Sequence, residues 1–591
     1  MANIFNQPIR RKLRSSVFDL GYDLKVSYEM GFLNVVSIDE TLPGDTWRVR
    51  HRHKIRLAPQ IAPFMHRLKI CEYAFVVPKR ILWDRYEEFY AGGKDGSVSS
   101  LIQPCVNPNT IFDAILDGGR TPTDGIVRMI FGPGTLWDYM GLAPIYTLNE
   151  LRSVRGVPAA DINWLPFRSY YSIWYEYFRD QNLIQDAFEP SMSSVITNEE
   201  IRAIFMGGDP DRITGDISRV MPYRKSWEKD YFTAALPWPQ RGPEVYIPGS
   251  GGQPTPTGKI VLDPSAIGRS GQFVRSDRYP YEDDSDDKVI AGRIPSASER
   301  GYLNMIADDG TSAHETVYDP NGTLKVEGTG GSDPVGDRAT INELRIASRL
   351  QAFYERAART GGRLTEHLLG FWGEFNKDSR MNRPEWLGSY NTNFYGEAVL
   401  QTSFSNDETA QANPAGNAEH EGYTLSFKRH VTEECFIVTL MCVLPNTSYQ
   451  DGLPRMYSRK ERFDFAFPDF AHLGEQAIKN KEVYAPWLTG AHDPDGDFGY
   501  VPRYSDYKYC NSRVAGDFRT NLDYWHMGRI FYDPSRAANP QPALNRSFVE
   551  AQPSKRIFPS QVEGDDVVWC YIALERKVAR KLPKWPNPQL R

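Results

Sequence analysis

The chain has 591 residues, 69 Lys plus Arg against 75 Asp plus Glu, and a formal charge of −6. That balance excludes both a wholesale basic nucleic-acid coat and a disordered acidic solubiliser. Aromatics at 13%, with 47 Gly and 42 Pro, favour many short strands, long ordered loops and broad contact surfaces over a helical bundle.

In chain order, residues 1–16 are a polar basic arm carrying Arg10, Arg11, Lys12 and Arg14 with no acid. The arm lacks the apolar run of a signal peptide. From 31 to 78 the pattern is β. After the turn Leu42-Pro43-Gly44-Asp45, residues 47–57 alternate strictly. Trp47, Val49, His51, His53, Ile55 and Leu57 lie on one face, and Arg48, Arg50, Arg52, Lys54 and Arg56 on the other. A second strand over 67–77 ends at Pro78, and ILWDRYEEFYAGG reads as a short helix closed by Gly92-Gly93. Residues 94–160 read as loop-rich, and a helix is predicted over about 168–182.

Composition shifts at 243. Residues 243–340 hold 14 Gly, 9 Pro and 16 acids against 9 bases, including Glu282, Asp283, Asp284, Asp286 and Asp287. The segment reads as a solvent-facing insertion. A long helical pattern then starts at Ile341, with Ile346, Leu350, Phe353 and Ala357 predicted as its buried stripe and Gly361-Gly362 closing it. Residues 384–591 return to short β runs at 422–428, 433–444, 497–509 and 566–574. The longest apolar run, CFIVTLMCVL at 435–444, is too short to span a membrane. Six dispersed cysteines without CxxC indicate neither a zinc site nor a disulfide framework, and so no need for an oxidising compartment. Strand runs at both ends predict one mainly β, sheet-on-sheet domain, 17–242 with 341–591, interrupted by excursions.

No phosphate-binding, dinucleotide or nucleophile-elbow motif is present. His51 and His53 share a strand face, but no third ligand lies nearby in sequence, so a packed pair outranks a metal site. Asp493-Pro494-Asp495-Gly496-Asp497 fails the calcium-loop pattern and reads as a solvated turn. His526 reads as a packed, hydrogen-bonded histidine. The five cations of 48–56 repeat every ~6.6–7 Å. They face either acids on neighbouring strands or an extended nucleic acid with similar phosphate spacing. The C-terminal cations Arg576, Lys577, Arg580, Lys581, Lys584 and Arg591 face either nucleic acid or acids of a neighbouring subunit.

Longer motifs narrow the choice. LAPQIAPFMHR (57–67), YFRDQNL (177–183), KDYFTAALPWPQRG (229–242) and INELRIASRLQAFYERAARTGGR (341–363) resemble the major capsid protein of the Microviridae, small icosahedral single-stranded DNA phages. So do RPEWLG (383–388), LQTS (400–403), GLPRMYSRKERFDFAFPDFAHLGEQ (452–476) and RVAGDFRTNLDYWHMGR (513–529). The gokushovirus-like group is nearest. The likeness runs in order along nearly the whole chain, apart from 243–340 and parts of 94–160.

The resemblance implies an eight-stranded viral jelly roll, a β-sandwich with long loop and helical insertions, and a T=1 shell of sixty copies around circular single-stranded DNA. It implies no enzyme activity and no cofactor or metal. It implies assembly in the bacterial cytoplasm and residence in the virion. The partners would be an internal scaffolding protein, a DNA pilot protein, a small basic DNA-binding protein and a host-cell surface receptor. Residues 243–340 would form threefold protrusions that meet the host. Two places depart from the family: strand 48–56 is more basic, and PAGNAEHEG (414–422) is more acidic. Tyr524, Trp525 and Arg529, in a segment too polar for a core strand, are candidates for subunit contacts, which favour Trp, Tyr and Arg. Two other classes compete. A carbohydrate-binding or carbohydrate-active β-sandwich would use Trp and Tyr as sugar platforms and, as an enzyme, would need a carboxylate pair facing a cleft. A single-strand-binding module would use the cationic strand with Trp47.

Overall fold

The computed structural model describes residues 14–92, 101–116, 121–152, 160–185, 187–207, 219–243, 245, 301–306, 313–319, 323–326, 341–360, 363–374, 377–400, 414–485, 493–532, 541–560 and 565–585. The chain divides into two compact units: Met1–Gly242 with Tyr354–Arg591, and Pro243–Phe353.

Nine strands build the frame of the larger unit. They are β1 (Ser16–Asp19), β2 (Tyr22–Tyr28), β3 (Asn34–Glu40), β4 (Thr46–Leu57), β5 (Leu68–Pro78), β6 (Glu385–Phe394), β7 (Glu419–His430), β8 (Cys435–Pro445) and β9 (Val568–Arg580). One sheet runs β1-β9-β4-β7 with β2 also on β9, and the other runs β6-β5-β8-β3. Every pairing within the two sheets is antiparallel. The sheets pack face to face: Trp47 and Val49 of β4 and Val578 of β9 meet Val76 of β5 and Ile437 of β8. The result is the expected mainly β sandwich.

Strand β4 alternates as predicted, with Trp47, Val49, His51, His53, Ile55 and Leu57 all buried. All eleven residues of β8 are buried. Sheet one covers one face of β8, and helix α3 of the β5–β6 excursion covers the other. Burial on both faces explains why this segment reads as a continuous apolar run rather than an alternating one.

The excursion corrects the expectation of loops over 94–160. It contains helices α1 (Pro108–Leu116) and α2 (Asp124–Phe131), followed by α3 (Leu165–Ile173) and α4 (Asn198–Met206). Thr123 and Thr197 cap α2 and α4 by accepting the amides of Ile126 and Glu200. These helices are eight or nine residues long, too short for a sustained periodic signal, and they hold together by packing. The helix predicted over 168–182 starts at Leu165 and passes into a π turn at Trp174–Phe178. The strand predicted over 497–509 stops at Pro502, and Ser505–Lys508 forms a helical turn.

Helix α5 (Ile341–Thr360) forms. Of its predicted stripe Ala357 is buried, whereas Ile346, Leu350 and Phe353 are exposed and Ala347 and Ala358 are buried instead. Periodicity marks the apolar face without saying whether it is buried. The smaller unit contains an antiparallel meander of Gly301–Ile306, Ala313–Asp319 and Thr323–Val326. Glu282, Asp283, Asp284, Asp286 and Asp287 lie outside the described residues.

Polar groups tie the two sheets through the apolar interior. His51 Nδ1 of β4 lies 2.5 Å from Glu72 Oε1 of β5, both fully buried, and the Leu425 amide donates to Glu72 Oε2 at 3.3 Å. Burial pushes the Glu72 carboxyl up. The His51 charge and the hydrogen bonds from His51, Thr424 and Leu425 outweigh it and hold Glu72 below the ordinary value. Next along β4, the ring of His53 lies 5.1 Å from that of His420. Burial, then the charge of His420, lowers the His53 pKa to about 4.

The unfolded chain therefore takes up a proton that folded His53 refuses. This contribution is complete above pH about 6.5 and is lost as pH falls toward 4. Urea unfolding at pH 7 and pH 5 checks it. We expect His53→Leu to lose about 2 kcal/mol less than the unsubstituted protein between those pH values. Equal losses would remove His53 as the cause.

Candidate nucleic-acid interface and assembly surfaces

The cationic side of β4 faces away from the sandwich, between β7 and β9. Register fixes its neighbours. Arg56 lies between Glu419 and Trp569, Lys54 between Glu421 and Tyr571, Arg52 between Tyr423 and Ala573, Arg50 between Ser426 and Glu575, and Arg48 between Lys428 and Lys577. The row therefore splits. At one end Arg52 meets Glu421 at 2.6 Å, Lys54 meets Glu419 at 2.5 Å and Arg56 meets Glu419 at 2.8 Å. Hydrogen bonds from Lys54 and Arg56, and from Arg52, hold Glu419 and Glu421 below the ordinary carboxylate range. At the other end Arg48, Lys428 and Lys577 form no ion pair with a described residue. Asp19 lies opposite Lys577 in register without reaching it. The acid-paired reading of the strand thus holds for Arg52, Lys54 and Arg56, and Arg48 has no such partner among the described residues.

Aromatic rings interleave with these charges. Trp569, Tyr571 and Tyr423 stand exposed on the same face, and the Arg50 guanidinium lies over the Tyr423 ring at 5.4 Å. Sequence reasoning missed all three. The signal was available in β9, where Trp569 and Tyr571 alternate with buried Val568, Cys570 and Ile572. Ser16 pairs with Arg580 and Ala579 with Thr46, so the arm enters the sheet at the unanswered end of the row. Arg14 is exposed there; Arg10, Arg11 and Lys12 lie outside the described residues. Two C-terminal cations serve the fold instead. Arg576 is buried against Asp39 at 2.5 Å, and Arg580 meets Asp45 at 2.8 Å.

The motif KDYFTAALPWPQRG supplies Tyr231 and Phe232 to a second core completed by Tyr449, Ile478, Phe498 and Phe548. Asp230 organises it. Its carboxylate accepts the amides of Phe232 and Thr233 at 2.9 and 2.8 Å and the Tyr449 hydroxyl at 2.6 Å. Arg529 belongs to this core: its guanidinium lies 4.0 Å from the Phe548 ring centroid, and Nη2 donates to the Phe548 carbonyl at 2.9 Å. Tyr524 and Trp525 remain half-buried on the short turn Asp523–Trp525. The structure keeps them together and turns Arg529 inward.

The other titratable clusters have structural partners. His526 Nε2 donates to the Phe518 carbonyl at 2.7 Å, and its Nδ1 accepts the Gly528 amide at 3.0 Å. Asp495 and Asp497 meet Lys481 and Lys479, each at 2.6 Å, and Asp493 accepts the Gly496 amide at 3.0 Å. Among the described residues no three His, Cys, Asp or Glu side chains converge as metal ligands, and all six cysteines are free thiols.

Comparison with known proteins matches residues 8–588 to the Phage_F family, described as capsid protein (F protein). Capsid protein VP1 of Bdellovibrio phage phiMH2K is 31% identical over 553 residues, 91% of this chain and 88% of the relative. Capsid protein VP1 of Chlamydia phage 1 is 30% identical over 645 residues, 100% of this chain and 98% of the relative. Capsid protein VP1 of Spiroplasma virus 4 is 27% identical over 496 residues, covering 82% and 79%.

The Asp230 network carries its own expected outcome. Asp230→Ala orphans the buried Tyr449 hydroxyl and two amides, and should cost about 3 kcal/mol in chemical denaturation. A loss within experimental error of zero would mean that the second core does not depend on it.

Proposed function

Because the chain belongs to the Phage_F capsid protein family and is a Microviridae major capsid protein, a structural component of the virion rather than an enzyme, we propose that sixty copies close a T=1 shell around circular single-stranded DNA. On this reading the two sheets are the halves of an eight-stranded viral jelly roll, with β1 and β2 as two parts of one interrupted strand. The observation that carries the nucleic-acid reading is the split row on β4. Arg48, Lys428 and Lys577 lie in register across three adjacent strands, about 4.8 Å apart, and such a row repels itself without an anion. Phosphodiesters answer it, and Trp569, Tyr571 and Tyr423 offer faces on which unpaired bases stack. The basic arm, with Arg10, Arg11, Lys12 and Arg14, joins the same end of the sheet and extends the contact.

Tyr524 and Trp525 then serve contacts between subunits. Assembly occurs in the bacterial cytoplasm with scaffolding, pilot and small basic proteins as partners. Residues 243–340 form the threefold surface protrusion that meets a host receptor, with the carboxylates of 281–287 outward, since three copies brought together inside would repel.

Electron microscopy of the purified protein tests the shell: uniform icosahedral particles are expected, and a monomer that never assembles would refute it. Anisotropy of a labelled single-stranded oligonucleotide across a salt series tests the row. Neutralising Arg48, Lys428 and Lys577 together should make the slope of log K against log salt shallower by about 2. The same treatment of Arg52, Lys54 and Arg56 should change it less. Equal effects would assign the row no preferred end. Replacing 245–338 by a short Gly/Ser bridge should leave shells that no longer adsorb to cells, and adsorption at the unsubstituted level would remove the receptor role.

A further inference from the structure

Beside the second core, a cleft of about 770 Å³ is lined by Tyr231, Tyr449, Tyr507, Tyr509, Arg513 and Arg519, among others. Arg455 and Arg459 on its wall are answered within the chain by Glu482 and Asp506. Arg513 and Arg519 form no ion pair with a described residue. The cleft is therefore aromatic, and two of its four arginines have no ion-pair partner among the described residues.

The same chain carries a projection of matching chemistry. Residues 460–473 are ordered by two 3-10 turns, Arg462–Asp464 and Pro468–Phe470. Asp464 clamps the first turn by accepting the amides of Lys460 and Glu461 at 2.7 and 2.9 Å. The rings of Phe463, Phe467 and Phe470 stack edgewise on one another, yet Phe463 is 62% and Phe465 48% exposed. Asp469 forms no ion pair with a described residue. Met456 and Tyr457, just before the loop, line the cleft, but none of the loop's phenylalanines does. An aromatic projection with three acids against two bases, whose Asp469 has no ion-pair partner among the described residues, thus stands beside an aromatic, cationic hollow that it does not fill.

We propose that the loop 460–473 of one copy docks in the Arg513/Arg519 cleft of a second copy, with Phe463 and Phe465 as the apolar anchors and Asp469 facing the two guanidiniums. This rests on the shell reading, since it supplies one repeated contact for closing the shell. The ordered turns reduce the entropy lost on docking, and desolvated aromatic anchors ringed by charge are the usual seat of interface energy.

Cys510, an exposed free thiol on the cleft wall, provides the probe. Phe465→Cys particles, mildly oxidised and run on a non-reducing gel, should give linked dimers or longer ladders. Adding Cys510→Ser should abolish them. Particles that form normally without a Cys510-dependent band would overturn the contact and leave the shell reading intact; absence of particles from the unsubstituted protein would instead remove the shell reading. Independently, Arg513→Glu with Arg519→Glu should lower particle yield at least tenfold, and Asp469→Arg added to that pair should restore much of it. Unchanged yield in the Arg513/Arg519 variant would also overturn the proposal.

Discussion

A one-residue slip of β4 would bury five cations and expose Trp47, Val49, His51, His53 and Ile55. That strand is central to its sheet, bonded to β9 on one side and β7 on the other, so its register sets what both faces of the sheet present. The His51–Glu72 contact reinforces that register from within. Two fully buried polar groups 2.5 Å apart cannot separate without leaving a charge or a hydrogen-bonding group stranded in the core, which costs several kcal/mol. The inward side thus fixes the outward one, and the ladder of charge and aromatic rings on the solvent face follows from what the core will accept.

The basic strand 48–56 and the acidic segment PAGNAEHEG meet in the structure: Glu419 and Glu421 of β7 answer Arg52, Lys54 and Arg56 of β4. These pairs are exposed, so each adds little stability. Their effect is on the field. They neutralise one end of the row and leave the net positive charge at Arg48, Lys428 and Lys577.

Much of the frame was legible beforehand because burial writes itself into period. The alternation of 47–57 and the unbroken apolar run of 435–444 each report how many faces of a strand are covered. What failed was information that lives between distant segments. Ile346, Leu350 and Phe353 have the spacing of a core stripe, but spacing alone does not say whether a face is buried. Arg529 packs on Phe548 and Trp227, and nothing in its local sequence names those partners. The split of the cationic row depends on which residues of β7 and β9 stand opposite it, and that is decided by pairing partners hundreds of residues away.

That distance has a consequence for how the protein is made. Strand β9 supplies the partner of β1, β2 and one whole edge of β4, and its residues 568–580 leave the ribosome some five hundred residues after β4 does. Until they emerge, β4 carries a bare edge and the first sheet cannot close. Long-range pairing of this kind is slow, because the closure entropy of the intervening chain precedes any contact energy. Exposed edges in the interval invite pairing between chains. Nascent chains therefore stand at their most vulnerable to aggregation just before the final strand inserts, and a binding partner that shields the β4 edge would act on yield rather than on the finished fold.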